Sequence, residues 1–312
     1  VSEFGLIAQI AKRFASIDHH GWEAIGDDCT VLPIGDEALV ITTDMLIEGV
    51  HFLRDKISPE ELGRKSLAVN LSDVAAMGVR PVATLLSVAL SKDATEEWAE
   101  RFTAGYHALS EEYSVALVGG DTTSSECGIA INVVAIGRGP LANVKRRSAA
   151  CVGDIVYVGG ELGASARGLK DIFAGNDATP NAAIHRNQQA QVAEGEWLGS
   201  RAEVHAMMDL SDGLASDLCH ILRASKCGAE LYAEQIPAVD GDIESAVAGG
   251  EDYKLLFTVA ETSAAQLESD FLAHFGRPIY RVGRIVESEN HTIRWFSEGK
   301  EFSPDWKGFT HF

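Results

Sequence analysis

Apolar positions along this chain of 312 residues recur in two ways, one helical and one extended. Phe4, Ile7, Ala11 and Phe14 share a face of an N-terminal helix, Trp98, Phe102, Leu109 and Tyr113 share another, and Leu214, Leu218, Ile221 and Leu222 a third. Short apolar runs predict strands at 31–32, 38–41, 82–90, 115–118, 155–158, 253–259, 279–285 and 292–296. Ile129, Ile131, Val133 and Ala135 alternate as one more. Helices are expected over 164–173 and 264–275. Strands and helices mix without the strict alternation of a doubly wound sheet, so the fold class is α/β, in two sandwiches. Gly137-Arg138-Gly139-Pro140 is the best boundary, giving domains 1–139 and 140–312. Residues 175–191, polar and rich in Asn and Gln, read as the least ordered part.

The best-defined element runs from about Pro59 to Met77. Ser58-Pro59-Glu60-Glu61 is written as a helix start, with a capping hydroxyl, Pro at the first position and Glu at the third. Gly78 closes the helix and Pro81 prevents its continuation. Glu61, Arg64, Lys65 and Ser72 fall on one stripe, expected to face water. Asp73 lies on another face, with Leu62, Ser66, Val69 and Met77, where a carboxylate is costly unless something positive meets it. A second helix is expected to start near Asp93, with Asp93 as its cap.

Charge narrows the partners. Forty-six acidic against 26 basic residues give a net charge of −20, which argues against a nucleic-acid surface and against docking on anionic lipid. Phosphate ligands would need bridging cations. The five cysteines contain no C-x-x-C pair, so a zinc site or disulfide framework is not expected and a reducing cytoplasm fits. The longest apolar run, 81–90, is too short to cross a bilayer, and the first residues lack a signal-peptide pattern. The expectation is a soluble intracellular protein.

Six aspartates carry the candidate chemistry. Thr43-Asp44 and Gly120-Asp121 each follow an apolar strand, at the end where α/β sheets bind ligands; the strand 115–118 is read as emptying into a Gly119-to-Thr123 loop. Asp28, Asp73, Asp209 and Asp212 add four more. Converging carboxylates repel unless cations sit between them, and oxygen donors with Thr hydroxyls point to magnesium rather than zinc. Singly, each member reads as a turn or cap residue before a functional one, and Asp209 and Ser211 could be only that; six acids in five such settings make that joint reading less attractive. Leu-Ser-Asp recurs at 71–73 and 210–212, and Gly-Gly-acid at 119–121 and 249–251. Chance explains matches so short; a duplicated layout facing one cleft is the sharper alternative. No P-loop is present, and 159–163 is not a G-x-G-x-x-G. Arg146-Arg147 reads equally as a solvated pair or a phosphate contact, and Trp306 equally as packing or ligand stacking; His51 is a plausible substrate contact, though a lone loop histidine is usually incidental.

In order along the chain stand Gly26-Asp27-Asp28-Cys29, Thr42-Thr43-Asp44, Val50-His51-Phe52, the run 68–78 around Asn70-Leu71-Ser72-Asp73, Gly119-Gly120-Asp121-Thr122-Thr123, Asp209-Leu210-Ser211-Asp212-Gly213-Leu214, Gly249-Gly250-Glu251-Asp252-Tyr253 and Asp305-Trp306-Lys307-Gly308-Phe309. Together they resemble the thiamine-monophosphate kinase family of the aminoimidazole-ribonucleotide-synthetase-like ATP-binding superfamily, over essentially the whole chain. The resemblance implies transfer of the γ-phosphoryl of ATP onto thiamine monophosphate, giving thiamine diphosphate and ADP. It implies an N-terminal α/β domain contributing to a dimeric β-barrel, a C-terminal α/β sandwich, an active-site cleft between them, and a cytoplasmic homodimer.

Carried onto matching positions, Asp28, Thr42, Thr43, Asp44, Asp73, Asp121, Asp209 and Asp212 hold several magnesium ions, with Asp44, Asp73 and Asp121 most critical. Gly120, Asp121, Arg147 and Ser211 contact ATP, and His51, Glu251 and Trp306 contact the thiamine moiety or its phosphate. No general base is required, because the acceptor phosphate is already largely ionised. The sequence departs from the family over 184–192, where a basic Pro-x-Pro-Arg-like stretch is replaced by one without proline. Two alternatives stand beside this reading. Another ATP-using synthetase of the superfamily is disfavoured by the first cysteine, Cys29, lying within the acid motif and by a tail ending Thr310-His311-Phe312. A non-catalytic acidic protein that binds divalent cations would make Arg147 and Trp306 irrelevant.

Overall fold

The computed structural model describes residues 3–306 and 308. After helix α1 (Glu3–Phe14), the first half builds β1 (Thr30–Ile34), β2 (Glu37–Ile47), α2 (Pro59–Ala76), β3 (Arg80–Ser91), α3 (Glu96–Tyr113), β4 (Ala116–Ser125) and β5 (Ala130–Pro140). Its five strands lie in the order β1-β2-β5-β3-β4. The chain then changes sheet. The second half contains β6 (Ile155–Val158), α4 (Ala164–Phe173), α5 (Pro180–Arg186), α6 (Val192–Gly199), β7 (Val204–Asp209), α7 (Leu214–Ser225) and β8 (Gly228–Tyr232). It continues with α8 (Ile243–Ala248), β9 (Leu255–Val259), α9 (Ala264–Phe275), β10 (Tyr280–Val286), β11 (Ile293–Ser297) and β12 (Lys300–Phe302). Seven strands form its mixed sheet, in the order β12-β11-β8-β10-β6-β9-β7. This is an α/β fold with two sheets. Lys307 and Phe309 of the C-terminal motif lie outside the described residues.

Helix α2 joins the halves. Its start has the expected capping box: Ser58 Oγ accepts from the Glu61 amide at 3.2 Å, and Glu61 Oε2 accepts from the Ser58 amide at 2.9 Å. The stripe expected to be wet is not. Fourteen of the eighteen residues are buried, and Lys65 and Ser72 are each 1 % exposed. The reason is position: one face of α2 lies on the first sheet and the other on the second domain. Glu61 pairs with Arg186, Lys65 with Glu251, and Ser72 with Asp209. One apolar core correspondingly runs from Leu62, Leu71 and Ile131 to Tyr157, Phe257 and Phe271. At the end of α2 the contact is backbone on backbone. A Cβ on Gly195 would sit 2.3 Å from the Ala75 carbonyl oxygen, and one on Gly199 2.1 Å from that of Gly78.

Three more expectations change. Helix α3 is capped by Thr95, which accepts from the Trp98 amide, while Asp93 pairs with Arg54. Strand β4 does not stop at Val118. It continues through Gly119-Gly120-Asp121-Thr122-Thr123 because β3 supplies a parallel partner for each, Leu86 opposite Gly120 and Ser87 opposite Asp121. Gly120 is required there, since a Cβ would lie 1.8 Å from the Leu86 carbonyl oxygen. The stretch 175–191 is ordered by α5, capped by Thr179, and it buries His185 and Gln188.

Where α2 crosses α3 the helices touch through glycines. A Cβ on Gly105 would lie 2.0 Å from the Glu60 carbonyl oxygen, and one on Gly63 2.1 Å from that of Phe102. Alanine gains about 1 kcal/mol over glycine in a helix, but overpacking against backbone costs about 1–3 kcal/mol or more. Gly105→Ala is therefore expected to lower the urea midpoint. A raised midpoint would show that the helices can separate freely.

Candidate functional site

A cleft of about 920 Å³ opens between the domains. Its lining combines the polar groups Asp44, Asp73, Ser211 and Asp212, the trio Lys65, His185 and Glu251, and the apolar side chains Ile47, Phe52, Ile57, Ile172 and Phe173. The acids arrive from separate elements: Asp28 from the loop before β1, Asp44 from β2, Asp73 from α2, and Asp209 from the end of β7. Asp28, Asp73 and Asp209 offer oxygens that all lie within 4.8 Å of one another. Hydroxyls and amides orient them. Thr42 Oγ1 donates to Asp73 Oδ2 at 2.5 Å and Ser72 Oγ to Asp209 Oδ2 at 2.5 Å, while the Asp44 amide donates to Asn70 Oδ1 at 2.9 Å. Asn70 is itself fixed by donating to the Ser66 carbonyl.

The electrostatics are lopsided. Arg147 is the cation that enters the cluster, donating to Asp28 Oδ1 at 2.6 Å, and its amide donates to Asp27. Burial, then the charges of Asp28 and Asp212, pushes Asp44 up to about 6. Burial, then Asp28, pushes Asp209 up to about 8 despite the Ser72 hydroxyl. Asp73 is raised well above the usual range by burial and by Asp44, Asp209 and Asp28. Asp28 Oδ2 is buried and has no hydrogen-bond partner. An orphaned carboxylate oxygen among mutually repelling acids, with oxygen donors alone around it, fits a hard divalent cation such as magnesium.

Other positions sort clearly. Ser211 lines the cleft, and its carbonyl accepts from the Glu251 amide at 2.7 Å. His51 lines it too, with Nδ1 accepting from the Ile47 amide at 3.0 Å. Thr43 points to the opposite face of β2, where its hydroxyl accepts from Asn132. Gly120 and Asp121 lie on edge strand β4, three strands from Asp44, about 14 Å along the sheet at ~4.8 Å per strand; within one chain the structure does not bring them to the cluster. Trp306 packs edge-on against Trp295, 5.0 Å between centroids, and against Phe302. It is outside the cleft lining, although Gly308 reaches it.

Sequence reasoning missed Lys65, His185, Asn70 and Asp217. Asp217, 1 % exposed, accepts from the amides of Asp212 and Gly213 and so holds the acidic turn. Its place four residues after Gly213, inside a helix, carries no local signal that separates it from a helix-surface acid. Away from the cleft, Cys151, Asp154 and His205 also approach one another. There the Asp154 carboxylate is already satisfied by the Cys151 amide, Thr258 and His205, a structural arrangement.

Comparison with known proteins agrees with this geometry. The AIR synthase related protein N-terminal domain family matches residues 26–139, and the corresponding C-terminal domain family matches 152–296. The chain is 37% identical over 330 residues to the thiamine-monophosphate kinase of Buchnera aphidicola subsp. Acyrthosiphon pisum, covering 100% of this chain and 99% of that protein. It is 36% identical over 326 residues to the enzyme of that name from Escherichia coli strain K12, covering 99% and 98%. A solved structure described as "AaThiL complexed with AMPPCP and TMP" superposes with a TM-score of 0.86 at 33% identity, over 100% of this chain and 97% of that one. Full-length similarity at this level, on a chain whose acids converge between two such domains, means that it belongs to the thiamine-monophosphate kinase family.

Proposed function

We propose that this protein transfers the γ-phosphoryl of ATP to thiamine monophosphate, releasing thiamine diphosphate and ADP. The observation that carries this reading is the convergence of Asp28, Asp44, Asp73, Asp209 and Asp212, of which Asp44, Asp73 and Asp212 line a cleft that also carries apolar side chains. Phosphoryl transfer asks for positioning and charge neutralisation more than for covalent help. Asp28, Asp44, Asp73, Asp209 and Asp212, with Thr42, would hold magnesium. When bound, that magnesium neutralises phosphate charge and lets two polyanions approach. Thr42, Ser72 and Asn70 aim the donor groups, and Arg147 and Ser211 face the nucleotide. His51 acts as a binder, because its Nδ1 is engaged by backbone and the acceptor phosphate is already largely ionised at neutral pH. Glu251 meets the thiamine ring, whereas Trp306, packed on Trp295 and Phe302, would reach the ring only by leaving that packing. The free cysteines fit a cytoplasmic setting, and among the described residues no helix is long and apolar enough to cross a membrane.

The active form in this reading is a homodimer. Strand β4 is an exposed edge carrying Leu117 and Val118, 51% and 62% exposed. Strand β1 covers β2 only up to Ile41, so residues 42–47 have an open edge, with Met45 55% exposed beside it. Bare apolar edges recruit another strand. A second copy laying its β4 along this open edge would close a barrel and set the partner's Asp121 beside Thr43 and Asp44.

Three outcomes are expected. Incubated with ATP, magnesium and thiamine monophosphate, the protein yields ADP and a new diphosphate in ³¹P spectra, and Asp73→Asn lowers turnover about 100-fold or more with unchanged circular dichroism; ATP consumption without thiamine diphosphate would refute the activity. In metal-free protein the raised carboxyls bind protons more tightly folded than unfolded. Stability therefore falls as pH rises from about 4 until the folded-state values, about 6 for Asp44 and about 8 for Asp209, are passed. Thermal melts should show a lower Tm at high pH with chelator, restored by magnesium; no magnesium effect would count against the metal site. Mixing inactive Asp44→Asn and Asp121→Asn chains should restore about a quarter of wild-type activity, since half the dimers carry one intact shared site. No recovery after verified subunit exchange would place Asp121 outside the partner's site.

A further inference from the structure

We propose that Lys65 and His185 are positioning residues for Glu251, turning its carboxylate into the group that selects an amino-bearing heteroaromatic ring in the acceptor substrate. This rests on the activity proposed above. Lys65 comes from α2 in the first domain, His185 from α5 in the second, and both meet one oxygen. Lys65 Nζ lies 3.0 Å from Glu251 Oε2 and within 3.5 Å of the His51 carbonyl oxygen. His185 Nδ1 lies 3.4 Å from the same Oε2 and 2.9 Å from Ser165 Oγ, which also accepts from Gln188. An ammonium only 1 % exposed is tolerable only when paired, so the Lys65–Glu251 contact is strongly held.

The imidazole is not a second cation. Burial, and then the positive charge of Lys65, lowers His185 to about 4, against the pull of Glu251 in the other direction. It is a neutral wedge at physiological pH, hydrogen-bonded to Ser165 and packed beside the Glu251 carboxylate. The backbone is fixed as well: Glu251 has φ +64°, and its amide donates to the Ser211 carbonyl at 2.7 Å. A non-glycine residue persists in that region where its surroundings over-determine it.

With Oε2 bonded by Lys65 and flanked by His185, no described residue hydrogen-bonds Oε1, and Glu251 lines the same cleft as the acids Asp44, Asp73 and Asp212 and the apolar side chains Ile47, Phe52 and Ile172. A ligand whose phosphate sits among the acids therefore places its ring against a carboxylate oxygen. An ionised carboxylate only accepts. It matches the exocyclic amine of an aminopyrimidine and opposes an oxo group at the same position.

The test uses full-length protein with thiamine monophosphate and its 4-oxo analogue, oxythiamine monophosphate. Lys65→Met is expected to raise KM for thiamine monophosphate about tenfold or more, leave KM for ATP within about twofold, and erase the preference for the amino over the oxo substrate. Lys65→Arg should keep most of that preference. A folded Lys65→Met enzyme with wild-type KM and preference overturns the proposal, as does an equal rise in both KM values with the preference intact. Should Lys65→Met fail to fold, Glu251→Gln gives the same reading: lost preference supports the proposal and unchanged preference refutes it. Calorimetric binding of the two thiamine compounds separates this inference from the proposed reaction, because the amino-over-oxo preference in binding depends on Lys65 even if no phosphoryl is transferred.

Discussion

Mutual repulsion among buried carboxylates is the constraint around which this molecule is arranged. Asp28, Asp44, Asp73 and Asp209 sit within reach of one another's fields, with Arg147 as the cation entering from the protein. Such a cluster opposes folding unless the scaffold is stiff enough to hold it. Stiffness comes from α2, which is packed on both faces and places Asn70, Ser72 and Asp73 as a run of anchors. The Thr42 and Ser72 hydroxyls each fix one oxygen, of Asp73 and Asp209, while Asn70 holds the backbone of Asp44.

The same helix explains how two domains make one site. Its polar residues, instead of meeting water, each meet a side chain from the second half: Arg186, Glu251 and Asp209. The interface is thus written in charge pairs and hydroxyls at its centre and in Leu62, Leu71, Tyr157 and Phe257 around it. Charge pairs fix register, and the apolar contacts supply most of the cohesion.

Much of this was legible in the sequence and some was not. Helix α2 could be bounded nearly to the residue because capping box, Pro and Gly are local signals. The acids Asp28, Asp44, Asp73, Asp209 and Asp212 stood out because they lie at a strand end or in Gly-, Ser- or Leu-containing motifs rather than in a Glu/Lys surface pattern. Lys65 was misread because amphipathic spacing shows which face is polar, not what that face meets; a second domain and bulk solvent look alike in one dimension. Strand β4 was cut short at Gly119-Gly120 because local rules read glycine pairs as turns, while the pairing with β3 that keeps them extended is non-local. Trp306 left packing and stacking equally open, and the structure shows it against Trp295 and Phe302.

The glycine contacts at the end of α2 bear on how such a cleft could breathe. Main chain rests directly on main chain at Gly195 and Ala75 and at Gly199 and Gly78, with no side chains between to act as rollers. Sliding one domain over the other would drive carbonyl oxygens into Cα atoms. The carboxylate wall, carried by elements of both domains, is thereby held as a fixed anvil.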